Sequence, residues 1–279
     1  MIGVIGLGLI GGSLAKALNQ NTDYTVYGYD IDDTITKKAV LVDAVEAALT
    51  EEILPECDIV IVALWPEATV EYIIEHADRF KKGAIILDCC GVKQYVCSRI
   101  EPVAKENGFT FIGGHPMAGM EHSGFDHSKR ALFDRASMVL TPPKGTSIED
   151  VEKIKELCIS IGFTDTEITT AEEHDRMIAF TSQLAHVVSS AYIKSPTAKY
   201  HKGFSAGSYR DLTRVAKLNE DMWTELFLEN KENLADEVDG IAERLMSYSK
   251  AIRESREADL HQMLKDGREK KESIDKEYF

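Results

Sequence analysis

Three glycines near the start of the sequence have the spacing of a phosphate-binding loop. They form Gly6-Leu-Gly8-Leu-Ile-Gly11, which follows an apolar run and precedes residues with helical periodicity. Gly6 allows a tight turn, Gly8 lets the backbone approach a pyrophosphate, and Gly11 lets the helix pack closely on the strand. The first helical amides, at Leu9 and Ile10, are positioned to bind anionic oxygens. We therefore expect these five residues to bind a dinucleotide.

An aspartate follows the second predicted strand at the distance that this kind of loop requires. Asp30 lies 19 residues beyond Gly11, where a carboxylate accepts hydrogen bonds from the hydroxyls of the adenosine ribose. Its negative charge repels a 2′-phosphate, which favours NAD over NADP as the cofactor. Asp32 or Asp33 takes this role if the strand ends later. Leu64, at the end of another apolar run, is expected to line the same cofactor site.

A histidine follows a later predicted strand within Gly113-Gly-His-Pro-Met-Ala-Gly119. The carboxyl ends of strands border the ligand crevice in an open α/β sheet, so His115 is expected at the site. Removing a hydride from a carbinol requires its O–H proton to leave. An imidazole, with an ordinary pKa of about 6.5, suits that task. His115 is therefore the predicted catalytic base, and a loop histidine with an ordinary hydrogen bond is the alternative.

The second half of the sequence contains polar pairs at helical spacing. In Thr181-Ser-Gln-Leu-Ala-His186, Ser182 and His186 share a helix face at i, i+4; a solvated face is the alternative interpretation. Further on, Gly207-Ser-Tyr-Arg210-Asp-Leu-Thr-Arg214 places two arginines four residues apart. Guanidinium groups bind carboxylates in a bidentate manner, so Arg210 and Arg214 predict a local anion site. A ladder of surface ion pairs with Asp211 and Glu220 is the alternative.

The elements that would position these residues divide into two kinds. Short apolar runs that alternate with helical patterns predict a doubly wound parallel sheet, an α/β fold of the Rossmann type. The predicted strands are Ile2–Leu7, Tyr24–Tyr29, Asp58–Leu64, Ala84–Cys89, Thr110–Gly113 and Ser137–Thr141. Beyond them the predicted helices are Ala171–Ile193, Ser208–Ala216, Met222–Ser247 and Ser249–Lys265, with a loop at Lys194–Gly207. We therefore expect a dinucleotide-binding domain over 1–170, an all-helical domain over 171–266, and a charged, frayed tail over 267–279.

Composition narrows the function classes. The 279 residues include 47 acidic and 32 basic side chains, for a net charge of −15, which disfavours nucleic acid and anionic membranes as partners. Five cysteines form no CxxC pair, so we expect neither a disulfide framework nor a metal site, and a reducing cytoplasm is the predicted location. The apolar first fifteen residues lack a cationic region and are interpreted as folded structure rather than a targeting segment.

The glycine loop, GGHPMAG, TSQLAH and YRDLTR, in this order, resemble the prephenate dehydrogenase family, which includes arogenate and cyclohexadienyl dehydrogenases. The resemblance extends from Met1 to about Leu264. It implies an NAD-dependent oxidative decarboxylation of prephenate to 4-hydroxyphenylpyruvate in tyrosine biosynthesis, with the small acid as the partner of the site. It also implies a homodimer formed through the helical domain.

The resemblance also implies residue roles. His115 matches the histidine that hydrogen-bonds the C4 hydroxyl, and Arg214 matches the arginine that binds the ring carboxylate. The other positions assigned to substrate binding are Ser182, His186, Gly207, Arg210, Gly91 and Trp223, the last resembling a tryptophan contributed by the dimer partner.

Two residues depart from the family pattern. Gly91 stands where many members have a serine that contacts the catalytic histidine, so water or another donor orients His115, or that contribution is absent. Gln183 stands where many members have a histidine that is tied to the side-chain end of the substrate. The preference for prephenate or arogenate is therefore left open. Two alternative functions are a dehydrogenase of another small acid and a non-catalytic dinucleotide sensor. The absence of a lysine before Lys194 on the first helix counts against the former, and the two arginines count against the latter.

Overall fold

A single eight-stranded sheet organises the first part of the chain in a computed structural model that describes residues 1–120 and 122–278. The strand order is β3-β2-β1-β4-β5-β6-β7-β8, and all neighbours are parallel except β6 and β7. The strands are β1 (Ile2–Ile5), β2 (Val26–Tyr29), β3 (Ala47–Ala48), β4 (Ile59–Val62), β5 (Ile85–Asp88), β6 (Thr110–Pro116), β7 (Ser137–Thr141) and β8 (Asp165–Ile168). The order reverses direction between β1 and β4, which is where open α/β sheets bind ligands.

The central strands are buried on both faces. Every residue of β1, β4 and β5 is buried, and apolar clusters pack on both sides of the sheet. Continuous apolar runs such as Ile59–Val62 form because helices cover both faces of a parallel sheet. The predicted doubly wound α/β fold is confirmed. Two strands have no such run, since β3 has two residues and β8 is mostly exposed, and the sequence analysis missed both.

Among the described residues, five α-helices accompany the sheet and six follow it. The first group is α1 (Leu9–Asn21), α2 (Asp33–Leu41), α3 (Pro66–Glu75), α4 (Gln94–Asn107) and α5 (Ile148–Ser160). The second group is α6 (Ala171–Ile178), α7 (Leu184–Ile193), α8 (Gly207–Thr213), α9 (Glu220–Glu229), α10 (Lys231–Arg253) and α11 (Glu257–Tyr278). The prediction that the C-terminal part is helical is therefore confirmed.

Its boundaries differ from the prediction at three places. The break predicted at Tyr248 falls within α10, and that helix ends at Arg253 instead. At the other two places the structure has a break that the sequence did not predict. The predicted helix Ala171–Ile193 contains a π-helical turn at Ala179–Gln183, which separates α6 from α7. The predicted helix Met222–Ser247 is interrupted at Asn230, whose buried side chain donates to the carbonyl of Asp175 and to Oε1 of Gln183. Both breaks are set by tertiary contacts, which apolar periodicity does not report.

The C-terminal tail was predicted to be frayed, and this was wrong for the described residues. Helix α11 continues to Tyr278. Ion pairs at i, i+4, including Arg268 with Glu272 and Lys271 with Asp275, support its charged surface.

The chain divides into two compact units at Lys231. The first runs from Met1 to Lys231 and contains every residue predicted for the site. The second contains most of α10 and all of α11; within it, the Tyr248 hydroxyl donates to the carbonyl of Met263 over 3.2 Å. No helix in the described part of the chain combines the length and apolar character needed to cross a membrane.

Candidate active site

The glycine loop has the geometry of an anion cradle. Gly6 has φ +81°, a left-handed conformation that favours glycine, and a Cβ on Gly11 would clash with the carbonyl oxygen of Gly6. A Cβ on Gly8 would meet no atom within 4 Å, so this part of the backbone is open to a ligand. Helix α1 begins at Leu9 with neither a side-chain cap nor an acid in its first turn, which leaves its amides for an anion.

Asp30 is the aspartate that contacts this loop. It directly follows β2, and its Oδ2 accepts from the backbone N–H of Leu7 over 2.9 Å. Its Oδ1 accepts from the N–H of Asp32. Asp32 instead caps α2 by accepting from the N–H of Thr34, and Asp33 is the first residue of that helix. The glycine cradle, the uncapped helix start and this carboxylate together fit a dinucleotide.

A buried ion pair fixes the backbone on the amino-terminal side of His115. Asp88 ends β5 and pairs with Lys93, and both side chains are fully buried. Lys93 Nζ also donates to the carbonyl of Gly114 over 2.6 Å, and Asp88 Oδ1 accepts from the Gly114 N–H over 3.1 Å. Burial lowers the pKa of Lys93, but the charge and hydrogen bond of Asp88 and the nearby Cys90 and Cys97 together raise it above its ordinary value. The ammonium therefore stays charged.

His115 lies near the end of β6 and is partly buried. Its Nδ1 is 2.9 Å from Nε2 of His174, and the two rings meet edge to face with centroids 5.1 Å apart. Burial, followed by electrostatic interactions with His174 and Lys93, lowers the pKa of His115 well below its usual range. The imidazole is thus neutral at pH 7, as a proton acceptor must be.

His174 and Asp175 form a buried pair at the start of α6 that sequence analysis missed. His174 Nδ1 is 2.7 Å from Asp175 Oδ1. Asp175 also accepts from the backbone N–H groups of Lys93 over 2.7 Å and Gln94 over 2.9 Å, at the start of α4. In the sequence these residues follow two glutamates and look like the acidic first turn of a surface helix. Only the packing of α6 on α4 reveals their contacts.

Gly91 lies beside the other nitrogen of the His115 ring. A Cβ at this position would be 3.9 Å from His115 Nε2 and 3.4 Å from Leu226 on α9. A serine here would therefore bring its hydroxyl close to Nε2. In this chain the side chain that contacts His115 is His174, on the opposite side of the ring.

A second group of predicted residues gathers around His186. His186 Nδ1 is 3.0 Å from the carbonyl oxygen of Val215, and its ring packs on Trp223 of the same chain with centroids 3.9 Å apart. Burial lowers the pKa of His186; the bond to Val215 opposes this, and Arg214 adds to it. Ser182 belongs to the π-helical turn and is partly exposed. Trp223 and Leu226 are one turn apart on α9, so this helix contacts both His186 and the surroundings of Gly91.

The two arginines are exposed. Arg210 lies on α8, which begins at Gly207, and Arg214 begins the 3₁₀ turn Arg214–Ala216. In the part of the chain that the structure describes, neither guanidinium forms an ion pair, so the ladder with Asp211 and Glu220 is not formed there. Both arginines can therefore accept a carboxylate ligand.

Gln183 uses both ends of its amide within the protein. It is buried, donates to the carbonyl of Leu226 over 3.0 Å and accepts from Asn230 over 2.8 Å. These bonds join the π-helical turn to the junction of α9 and α10. Across residues 1–120 and 122–278, no cluster of three or more histidine, cysteine or acidic side chains is arranged to hold a metal ion.

The sheet and the glycine loop define a nucleotide-binding protein of the Rossmann type with a helical C-terminal part. Two sequence models of one family match it in order: "Prephenate dehydrogenase, nucleotide-binding domain" over residues 14–164 and "Prephenate dehydrogenase, dimerization domain" over residues 170–266. The chain belongs to the prephenate dehydrogenase family.

Individual relatives agree with this assignment. The chain is 32% identical over 245 residues to the prephenate dehydrogenase of Bacillus subtilis, a match that covers 84% of this chain and 65% of that protein, just under two thirds. The crystal structure of prephenate dehydrogenase from A. aeolicus in complex with hydroxyphenyl propionate and NAD⁺ is 28% identical. It superposes with a TM-score of 0.86 over 98% of this chain and 97% of that one. Synechocystis arogenate dehydrogenase is 26% identical, with a TM-score of 0.81 over 98% and 99% of the two chains.

Proposed function

We propose that this protein is an NAD-dependent prephenate dehydrogenase that converts prephenate to 4-hydroxyphenylpyruvate and carbon dioxide. The observation that carries the proposal is the state of His115. Its imidazole is neutral, its Nδ1 is engaged by His174, and its Nε2 is on the side of Gly91. That arrangement suits an acceptor for the proton of a substrate hydroxyl.

The cofactor would lie on the glycine loop. Gly6, Gly8 and Gly11, with the amides of Leu9 and Ile10, would hold the pyrophosphate, and Leu64 packs against the turn at Gly6. Asp30 would accept from the ribose hydroxyls and repel a 2′-phosphate. NAD, when bound, supplies the acceptor for the hydride that leaves C4 of the substrate ring.

The chain's own chemistry is proton handling and carboxylate binding. His115 Nε2 accepts the C4 hydroxyl proton as hydride departs, which leaves a ring ketone. Cleavage of the bond to the ring carboxylate then releases carbon dioxide and places the bonding electrons in an aromatic phenolate. The proton returns from Nε2 to the phenolate oxygen, so no net proton is consumed, and aromatisation makes the sequence effectively irreversible.

The substrate's ring carboxylate would be held at the exposed arginines. Arg214 is proposed to bind the ring carboxylate, with Arg210 adding positive charge. The remaining substrate contacts in the proposal are Ser182, His186, Gly207, Gly91 and Trp223. Fixing the ring against the nicotinamide in this way lowers the entropic cost of reaching the transition state.

Assembly and location complete the proposal. The match to a dimerization domain supports a homodimer through the helical part, with functional domains at 1–170 and 171–266. Five free cysteines suit a reducing cytoplasm.

Arogenate is the second candidate substrate. Arogenate has an amino group where prephenate has a keto group, and Gln183 differs from the histidine of many relatives at the position tied to that end. One N–H and one oxygen lone pair of the Gln183 amide are already bonded inside the protein, which holds this side chain in place away from either group. The similarity to Synechocystis arogenate dehydrogenase also supports this second candidate.

The experiment that tests the proposal follows reduction of the nicotinamide by its absorbance. Prephenate and arogenate are offered in parallel, each with NAD and with NADP. Turnover of prephenate with NAD is the expected result. Preference for arogenate would keep the mechanism and change the substrate, and no reduction despite measurable NAD binding would overturn the proposal.

The cofactor assignment has its own test. Replacing Asp30 by serine removes the ribose acceptor and the charge that repels a phosphate. We expect affinity for NAD to fall about tenfold and the preference for NAD over NADP to shrink. Asp33→Ser is the matched control. An unchanged cofactor ratio in Asp30→Ser would exclude this carboxylate as the determinant.

A further inference from the structure

A continuous set of hydrogen bonds connects His115 to the start of α4. Asp175 accepts three of them: from His174 Nδ1 and from the backbone N–H groups of Lys93 and Gln94. Both carboxylate oxygens accept from backbone N–H groups, so Asp175 faces His174 as an acceptor. Asp175 is also fully buried, so solvent does not compete for these bonds.

The acceptor role of Asp175 determines where the protons are on both imidazoles. His174 Nδ1 must carry hydrogen to donate to Asp175. Burial lowers the pKa of His174 despite that bond, so the ring is neutral and its Nε2 has a lone pair. The 2.9 Å contact with His115 is then a hydrogen bond only if His115 Nδ1 donates, which leaves the lone pair of His115 on Nε2.

We infer that His174 and Asp175 are positioning residues that hold His115 in its Nδ1–H tautomer, with Nε2 as the proton acceptor. The inference rests on the proposed function for its catalytic meaning. The tautomer itself is a property of the chain alone.

The tautomer matters because an imidazole in water favours the other form. With hydrogen on Nε2, His115 would present a donor to the substrate hydroxyl and could not take its proton. The buried pair reverses that preference. When Nε2 accepts the proton, the Nδ1–H bond to His174 persists and the Asp175 charge stabilises the imidazolium; no proton needs to move between the histidines.

The bond between His115 and His174 matters more in this chain because residue 91 is glycine. The family serine would contact His115 from the Nε2 side, and glycine provides no such side chain. Orientation of the ring within the chain therefore depends on the bond at Nδ1.

The first test needs neither substrate nor cofactor. Protein labelled with ¹⁵N in its histidines is examined by NMR at pH 8, and the His115→Asn and His174→Gln variants assign the two rings. We expect hydrogen on Nδ1 of both His115 and His174 in the wild type. A wild-type His115 with hydrogen on Nε2 would overturn the inference.

The second test separates orientation from structure by kinetics. In His174→Gln the amide oxygen can still accept from His115 Nδ1, whereas His174→Phe provides no acceptor. We expect kcat to fall about tenfold in the former and about a hundredfold or more in the latter. The KM values for both substrates should stay within about threefold of wild type. The control is Glu172→Gln, which changes an exposed carboxylate on the same helix and should leave kcat unchanged.

The outcomes distinguish the inference from the proposed function. A folded His174→Phe variant with wild-type kcat, or one that changes KM alone, would overturn the inference. If His174→Phe does not fold, His174→Gln and the tautomer measurement still decide. A wild type inactive with prephenate and arogenate would overturn the proposed function, and the NMR result would still test the tautomer.

Discussion

The two ends of the candidate site are built in opposite ways. The proton-handling end, formed by Asp88, Lys93, His115, His174 and Asp175, is largely buried and its polar groups bond to one another. The carboxylate-binding end, formed by Arg210 and Arg214, is exposed and has no ion pair in the described chain. If the proposed roles hold, the structure fixes the proposed base before a ligand arrives, whereas it leaves the two arginines for the ligand to neutralise.

The physical reason lies in what each end must do. A base needs one tautomer and a neutral ring, and burial with fixed partners provides both. A cation that binds a ligand carboxylate should have no ion-pair partner within the protein, since displacing such a partner would cost free energy. The following predictions test this difference, beginning with the largest expected effect.

Removing the base should affect turnover and spare cofactor binding. We expect His115→Asn to lower kcat by about two to four orders of magnitude, because the variant lacks the Nε2 acceptor beside Gly91. NAD affinity, measured separately by titration, should be close to wild type because His115 is outside the glycine loop. His261→Asn in the second unit is the control. Unchanged turnover in His115→Asn would remove this residue from the mechanism.

Breaking the buried ion pair should cost far more stability than breaking an exposed one. Lys93→Met leaves Asp88 charged and buried, and we expect the free energy of unfolding to fall by about 3–5 kcal/mol in urea denaturation. Lys81→Met, whose partner Asp58 is partly exposed, is the matched control and should lose little. Adding Asp88→Leu to Lys93→Met should recover part of the loss. Equal losses in the two single variants would contradict the buried-pair interpretation.

At the exposed end, a change of one arginine should act on binding. Arg214→Gln should raise the KM for the acid substrate by about tenfold to a hundredfold with a smaller effect on kcat, since a charged hydrogen bond is lost. Raising the salt concentration should increase the wild-type KM in the same direction. Lys217→Gln, a nearby exposed cation, serves as the control. An unaltered KM in Arg214→Gln would make that arginine purely structural.

The smallest effect is expected at Glu229, the last residue of α9. Glu229 has a buried Oε2 with no hydrogen-bond partner, and burial, followed by the charge of Glu225, raises its pKa to about 8 from the ordinary value of 4.5. Between pH 4.5 and 8 the folded chain holds a proton that the unfolded chain has released. Stability from this group is therefore full below pH 4.5 and falls as pH rises through that window.

Glu229→Gln removes that pH dependence. At pH 8.5 the variant should be more stable than the wild type by about 1 kcal/mol, a value reduced for the solvent that reaches half of the side chain. The difference in Tm should disappear near pH 4.5. Comparing the two proteins at each pH cancels the contribution of the histidines. Glu220→Gln, exposed on the same helix, should show no such trend.

Much of the fold was predictable because its determinants are local. The glycine loop is a short contiguous pattern, and β1, β4 and β5 are continuous apolar runs, so each element is encoded within about ten residues. The missed elements lack such local information: β8 is polar and exposed, and the π-helical turn at Ala179–Gln183 lies within an uninterrupted helical pattern.

The candidate site was predictable only in part, for the same reason. His115 could be found because glycines and a proline mark its strand end. His174 contacts it across 59 residues of sequence, and Asp175 meets the amide of Lys93 across 82. Gln183, whose role the sequence left open, proved to be engaged with residues 43 and 47 positions away. No spacing rule connects residues at such separations.

The sequence by itself therefore determined the type of fold and the glycine loop, and it singled out Asp30 and the proposed base, His115. Tertiary structure alone decided which ring nitrogen of His115 is engaged, which carboxylate stands behind it, and which cations remain unpaired. The physical reason is that turns and strands follow from short-range sterics and burial patterns, whereas a proton's position depends on donors and acceptors brought together by packing.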